Sequence, residues 1–451
     1  METQSNAKYT IDTAPMTWRQ YWITAVASLG QLVGTALATL VSIIIPLYQI
    51  HAHPELSSFM QGLIGAMDLI GIVFGSVVLG RLSDEHGYLK LFRICPLLIC
   101  VAAIAALLFP NIPVLIVSLF VMGFAIGGEY SLDSDYISEL MPKKWKFFMV
   151  GGAKAASAVG NIIMAGACFL IVKDWTDSNL WPQLLWIMIA ISGLMFVTRI
   201  CFWESPVWLA GHGRMKEAQE AAQKFLGDNV SVVAPEKAAP VAKVSTLKFI
   251  KENWRNVIFT GIPWACEGLG VYGIGVFLPI LVMALGIEHV TPGTDKLMHV
   301  ANSIEVTFWI SCVMLPGFIL GLVLINRMKG AKIQWLGFFL SAIALTLLLY
   351  SYHYGLSKWL SIGAFMAFEL FLNMGPHLMT YVLPAKVYPV EVRGQGSGLA
   401  ASIGKIGAVA GVFCIPILLQ AGGTTLVLVV SIAVMFIGGI ITILFAPKGQ
   451  N

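Results

Sequence analysis

An all-α membrane protein, with twelve transmembrane helices in two six-helix bundles, is the fold class this sequence predicts. Three observations lead there. Charged residues make up 12% of the 451 positions and hydrophobic residues 57%, with a mean hydropathy of +0.80; soluble domains carry roughly 25% charged residues. Apolar runs recur at the roughly 20-residue length a helix needs to cross a bilayer. Lys and Arg also gather on one side of those runs. Porin-type barrels are excluded because the runs are continuous, not alternating.

Taken in order, the spans lie near 22–47, 59–81, 91–109, 113–140, 148–172 and 182–202, then 256–285, 301–326, 332–351, 358–383, 396–420 and 424–446. The predicted domains are an N-terminal bundle (1–202), a cytoplasmic central loop (203–254) and a C-terminal bundle (255–451). With the N-terminus inside, every Lys and Arg except Lys154, Lys173, Lys296, Lys358 and Lys405 falls on or beside a cytoplasmic segment. This positive-inside bias places both termini in the cytoplasm of a cell inner membrane. The net charge of +4 then reports topology and not nucleic-acid binding. No cleavable signal peptide is visible, since the first 20 residues are polar.

Within the central loop, GHGRMKEAQEAAQKFLGD reads as a short amphipathic helix. DNVSVVAPEKAAPVAK reads as a flexible tether. Asn229-Val-Ser231 matches a glycosylation acceptor, but on the cytoplasmic side. The seven cysteines have no metal or redox spacing and read as packing residues. Gly62, Gly65, Gly71, Gly75 and Gly80 mark a helix that packs closely on its neighbours. Gly268-x-Gly270-x-x-Gly273 spells a dinucleotide fingerprint without the strand it requires, and is set aside. No metal, cofactor or catalytic constellation is expected, and the chain is not expected to be an enzyme.

The halves repeat one another. Advancing 247 positions carries Glu139 to Lys386, Pro142 to Pro389, Lys146 to Arg393, Gly151 to Gly398 and Gly160 to Gly407. Parallel six-span repeats with a site between them near midplane are one recurring transporter design.

Ionisable residues inside spans are costly and default to functional hypotheses. Here they are Asp68, Glu129, Asp133, Lys154, Glu267, Glu305, Glu369, His377 and Lys405. Glu129 and Asp133, four apart, share a helix face. Glu129 and Lys154 sit at similar depth on neighbouring spans. Either they form a structural ion pair, or Lys154 holds an anionic substrate while Glu129 exchanges a proton. Glu267 and Glu369 lie midway along the seventh and tenth spans, with Asn373 and His377 following Glu369 at four-residue steps. Trp264, Tyr272, Trp309, Gln31, Asn161 and Asn373 offer stacking and hydrogen bonds to a small polar ligand. No midplane arginine is evident.

Gly80-Arg-Leu82-Ser-Asp84-Glu-His-Gly87-Tyr-Leu-Lys90 resembles the cytoplasmic loop signature of the major facilitator superfamily. GGEYSLDSDYISELMP (127–142), ESPVWLAGHGRMKEA (204–218), VYPVEVRG (387–394) and IGKIGA (403–408) resemble its sugar-porter and metabolite–proton symporter branch. The resemblance covers nearly the whole chain. It implies a major-facilitator fold working by alternating access, with the seventh and tenth spans lining the cavity. It further implies a cytoplasmic gate at Asp84, Gly87, Glu139, Glu204, Arg393, Lys405 and Lys386, whose ion pairs hold the halves together when the protein opens outward. A Glu139–Lys386 contact across the bundles is expected. The sequence departs from the branch at Glu85, Tyr88, Val207, Asn326 and Lys386, and its first span lacks the acidic residue many metabolite symporters carry.

The expected function is secondary transport of a small organic metabolite, such as an organic acid, by proton symport. The protein is expected to act as a monomer in the lipid bilayer. A sugar porter and a drug-efflux protein are the alternatives within transport. A non-transporting membrane sensor is the alternative of another class, disfavoured by the short tails.

Overall fold

The computed structural model describes residues 9–50, 56–227, 229–232, 246–288, 295–388 and 393–449. Twelve apolar helical segments form two six-helix bundles. In the first, α1 (Trp18–Ala27) and α2 (Leu29–Gln49) make one span bent at Ser28. They are followed by α3 (Ser58–His86), α4 (Tyr88–Leu108), α5 (Ile112–Leu140), α6 (Lys146–Val172), and a 3-10 turn leading into α7 (Leu185–Arg199). The segment between the bundles carries α8 (Pro206–Gly211) and α9 (Met215–Leu226). The second bundle opens with α10 (Thr246–Gly268), a π turn at Leu269–Ile274, and α11 (Leu278–Ala284). It continues with α12 (Lys296–Cys312), α13 (Met314–Leu324), α14 (Gly330–His353), α15 (Lys358–Met374), α16 (Pro376–Val387) and α17 (Arg393–Phe445).

Several spans are broken where the sequence reading left them continuous. The tenth divides at Gly375, where Pro376 supplies no backbone N–H to the preceding turn. The eleventh and twelfth spans form one helix by hydrogen bonding, turned at Gly422 and at Gly423, whose φ is 63°. The expected amphipathic helix is α9, which buries Ala218, Ala221, Ala222, Phe225 and Leu226. Within the expected tether, β2 (Val230–Ser231) pairs in parallel with β1 (Tyr9–Thr10), tying the N-terminal segment to the central loop. Residues 233–245 lie outside the described set, as do the side chains of Asp84 and Arg393.

Helices approach closely where glycine removes the Cβ, as lipid-embedded packing requires. A Cβ at Gly71 would overlap the Phe120 carbonyl, one at Gly75 the Phe124 carbonyl, and one at Gly123 the Asp68 carbonyl, so α3 and α5 interlock. The second bundle repeats the device, with Gly317 and Gly321 of α13 set against the carbonyls of Leu370 and Met374. Between the bundles, the Ser58 end of α3 meets α17 just before its turn at Gly422. Ser58 Oγ donates to Gln420 Oε1 at 2.7 Å, Phe59 packs on Phe413 at 5.9 Å between centroids, and Gly62 lies against Phe413.

Candidate transport site

Tyr130 of α5 is the residue around which the central site is built. Lys154 Nζ of α6 lies 5.5 Å from its ring centroid, and Lys405 Nζ of α17 lies 5.1 Å from it. Ammonium groups over aromatic faces gain electrostatic stabilisation that grows with desolvation. Lys154 also donates to Gln31 Oε1 at 3.5 Å and sits 6.0 Å from the Tyr381 ring. Lys405 donates to the Tyr272 hydroxyl at 3.2 Å and lies 4.6 Å from that ring. Spans 1, 4 and 5 of one bundle thus meet spans 7, 10 and 11 of the other around two cations. Lys405, expected at the cytoplasmic gate, belongs to this interior site.

On the C-terminal side, Glu267, Glu369, Asn373 and His377 are all buried. Asn373 Nδ2 donates to the Glu369 carbonyl at 2.8 Å and to Glu369 Oε2 at 3.2 Å. His377 Nδ1 meets Asn373 Oδ1 at 2.9 Å, and His377 Nε2 lies 3.8 Å from Glu267 Oε1. Asp68, also buried, lies within electrostatic reach of Lys405.

Glu129 and Asp133 sit apart from this group. Of the two readings of Glu129 and Lys154, the ion pair is not formed; Arg199, at the end of α7, bonds both Glu129 and Asp133. Arg199 is wholly buried, donates to the Ala27 carbonyl at 3.1 Å, and lies under the Phe92 ring at 4.5 Å. Cys95 lies against Glu129, and Gly30 faces Asp133 Oδ2. All of these residues come from the first bundle. The two acids expected on the transport path are therefore part of an intra-bundle cluster, with Lys154 free to face the other half.

Of the remaining expected ligand-contact residues, Asn161 bonds Thr39 and donates to Met314 Sδ at 2.8 Å, joining span 5 to spans 1 and 8. Trp264 packs its ring on Gly404 within its own bundle. Trp309 is 55% exposed and turns away from the interior.

The gate residues have a local logic. Gly87 ends α3 with φ at 86°, and a Cβ there would run into the Glu204 carboxylate. That carboxylate accepts from the backbone N–H groups of Tyr88 (3.0 Å), Leu89 (3.1 Å) and Ser205 (3.0 Å), capping α4. Glu139 accepts from the Tyr88 hydroxyl at 2.9 Å and from Ser205 Oγ. In this structure Glu139 and Glu204 hold the first bundle to the segment that follows α7. Among the described residues, the bonds Glu139 makes do not include the expected one to Lys386.

Sequence reasoning missed Arg199, Tyr130 and Tyr381. Arg199 is the lone Lys or Arg between Lys173 and Arg214, and the charge bias that oriented the chain absorbed it as a loop residue. Tyr130 was findable. Adjacent helix positions are about 100° apart, so once Glu129 faces its own bundle, Tyr130 turns toward the other.

The comparisons with known proteins agree with this architecture. The family described as sugar (and other) transporter matches residues 1–451. The inner membrane metabolite transport protein YgcS of Escherichia coli K12 is 26% identical over 87% of this chain and 84% of its own. A putative inorganic phosphate transporter 1-13 of Oryza sativa subsp. japonica is 24% identical over 81% of this chain and 76% of its own. The xylose transporter XylE of Escherichia coli, in a partially occluded inward-open conformation, superposes with a TM-score of 0.79. That match covers 96% of this chain and 99% of that one at 17% identity.

Proposed function

The chain belongs to the sugar (and other) transporter family, a membrane transporter of the major-facilitator fold, and on that footing we propose that it carries a small anionic metabolite by alternating access with proton symport. The observation that carries the anionic reading is the pair Lys154 and Lys405, contributed by opposite bundles and directed at one tyrosine ring. Two ammonium groups brought together inside a membrane repel one another and lose hydration. An anion between them relieves both costs, and it does so only when the bundles are together. Substrate binding is thereby linked to the closed arrangement, as alternating access demands. Tyr130, Tyr272, Tyr381 and Gln31 supply neutral hydrogen-bonding groups around that position.

Organic acids and inorganic phosphate share this recognition chemistry, and several relatives are named inorganic phosphate transporters. Sugar transport is the second reading, favoured by the similarity to the xylose–proton symporter and by the tyrosines and amides at the site. Both termini and the 203–254 segment are placed in the cytoplasm by the positive-inside bias, and the unit of transport is taken as a monomer.

A thermal-shift screen of purified protein against monocarboxylates, inorganic phosphate and sugars tests the reading, because a ligand of the native state raises its apparent stability. An anion is expected to stabilise the protein, and Lys154→Gln and Lys405→Gln should each remove that shift. Stabilisation by sugars alone, unchanged in both lysine variants, would sink the anionic reading. Uptake of the stabilising compound into proteoliposomes with and without a pH gradient then tests symport.

A further inference from the structure

The chain Glu369–Asn373–His377–Glu267 fixes a histidine tautomer, and a vacancy for one proton follows from it. The Glu369 backbone carbonyl can only accept, so the Asn373 atom 2.8 Å from it is the amide nitrogen. Asn373 Oδ1 therefore faces His377 and can only accept. The hydrogen of the 2.9 Å contact must then sit on His377 Nδ1. In the neutral ring this leaves a lone pair on Nε2, directed at Glu267 Oε1 3.8 Å away. Glu267 Oε1 is buried and has no hydrogen-bond partner among the described residues. Two acceptors thus lie 3.8 Å apart, and a proton placed between them would draw them in to hydrogen-bond length.

We propose that His377 and Glu267 hold a single shared proton, and that Asn373 and Glu369 are positioning residues that set the ring to receive it. A proton arriving from water binds at Nε2 or at Oε1. Either site gives the same composition: imidazolium with carboxylate, or imidazole with carboxylic acid. The surroundings decide when this happens. The Phe318 ring covers the imidazole at 5.1 Å from α13, while Lys154 of α6 and Lys405 of α17 act on both members of the pair. Asn373, which separates the ring from Glu369, carries no charge. The two ammonium groups oppose the arrival of another positive charge, and an anion lying between them removes that opposition. Substrate and proton would therefore arrive together.

The inference rests on the symport reading for its purpose, but its test is independent of flux. Histidine-labelled protein in lipid nanodiscs is examined by NMR, the His377 signal being the one missing from His377→Gln. The expected result is a neutral ring held as the Nδ1–H tautomer, released in Asn373→Leu. Proton uptake is then measured in weak buffer as the pH is stepped between about 8 and 5, the range in which an ordinary imidazole changes charge. The double variant of Glu267→Gln and His377→Gln should take up one proton fewer than wild type, whereas each single variant, keeping one of the two sites, should still take up that proton at a shifted pH. A ring carrying its proton on Nε2, or losses that add in the double variant, would overturn the pair. A wild-type flux indifferent to a pH gradient would remove symport and leave the shared proton standing.

Discussion

Arg199 carries a large share of the first bundle's internal order. It bonds two carboxylates, a backbone carbonyl and an aromatic face while itself fully buried. Removing one partner of a buried ion pair leaves an uncompensated charge and costs about 3–5 kcal/mol. Arg199→Leu should therefore lower thermal stability in detergent sharply. Adding Glu129→Gln and Asp133→Asn to that variant should recover part of the loss, because the orphaned charges are gone. A single variant as stable as wild type would show that the cluster is not what holds α5 to α7. This residue also marks a limit on reading the chain. The acids at 129 and 133 were legible as intramembrane charges, but their partner was not. Depth in a bundle depends on how far α5 extends past α7, which spacing along one helix does not report. Glu204 was likewise legible as a motif residue, yet its capping of α4 depends on where the chain returns after α7.

At the scale of elements, glycine spacing was the most readable feature and helix breaks the least. The recurrence of Gly71 and Gly75 on α3 predicted close approach, and both lie against carbonyls of α5. Gly75→Ala should destabilise the protein by about 1–3 kcal/mol, the usual cost of overpacking, because the added methyl meets backbone that cannot rotate away. Gly193→Ala is the matched control: it lies mid-helix in α7 with nothing within 4 Å of its Cβ position, and should be neutral or slightly stabilising. Denaturation in a common detergent separates the two, and equal effects would reject the interlocking account. The π turn at Leu269–Ile274 has no comparable signature, since periodicity alone cannot distinguish α from π hydrogen bonding; the division at Gly375 has one, the Gly375-Pro376 pair, which lies inside an otherwise continuous apolar run. Both breaks matter, because they lie beside Tyr272 and between Asn373 and His377, where the site is assembled.

For the whole molecule, the consequential observation is that the bundles touch where the Ser58 end of α3, which the positive-inside bias puts outside, meets α17 before its turn at Gly422. Ser58–Gln420, Phe59–Phe413 and the approach at Gly62 must all part if the protein opens outward. A single hydrogen bond is worth about 1 kcal/mol net. Ser58→Ala should therefore favour the outward-open state by only about fivefold, tenfold being 1.4 kcal/mol. A covalent tether acts far more strongly. With the seven native cysteines replaced, Ser58→Cys and Gln420→Cys joined by a short thiol cross-linker should abolish flux. Cleaving the linker should restore it, and either cysteine alone should transport normally under the same treatment. Flux that survives complete cross-linking would mean that this contact does not open during the cycle. Alternation about the central lysines would then require another route for substrate to the outside.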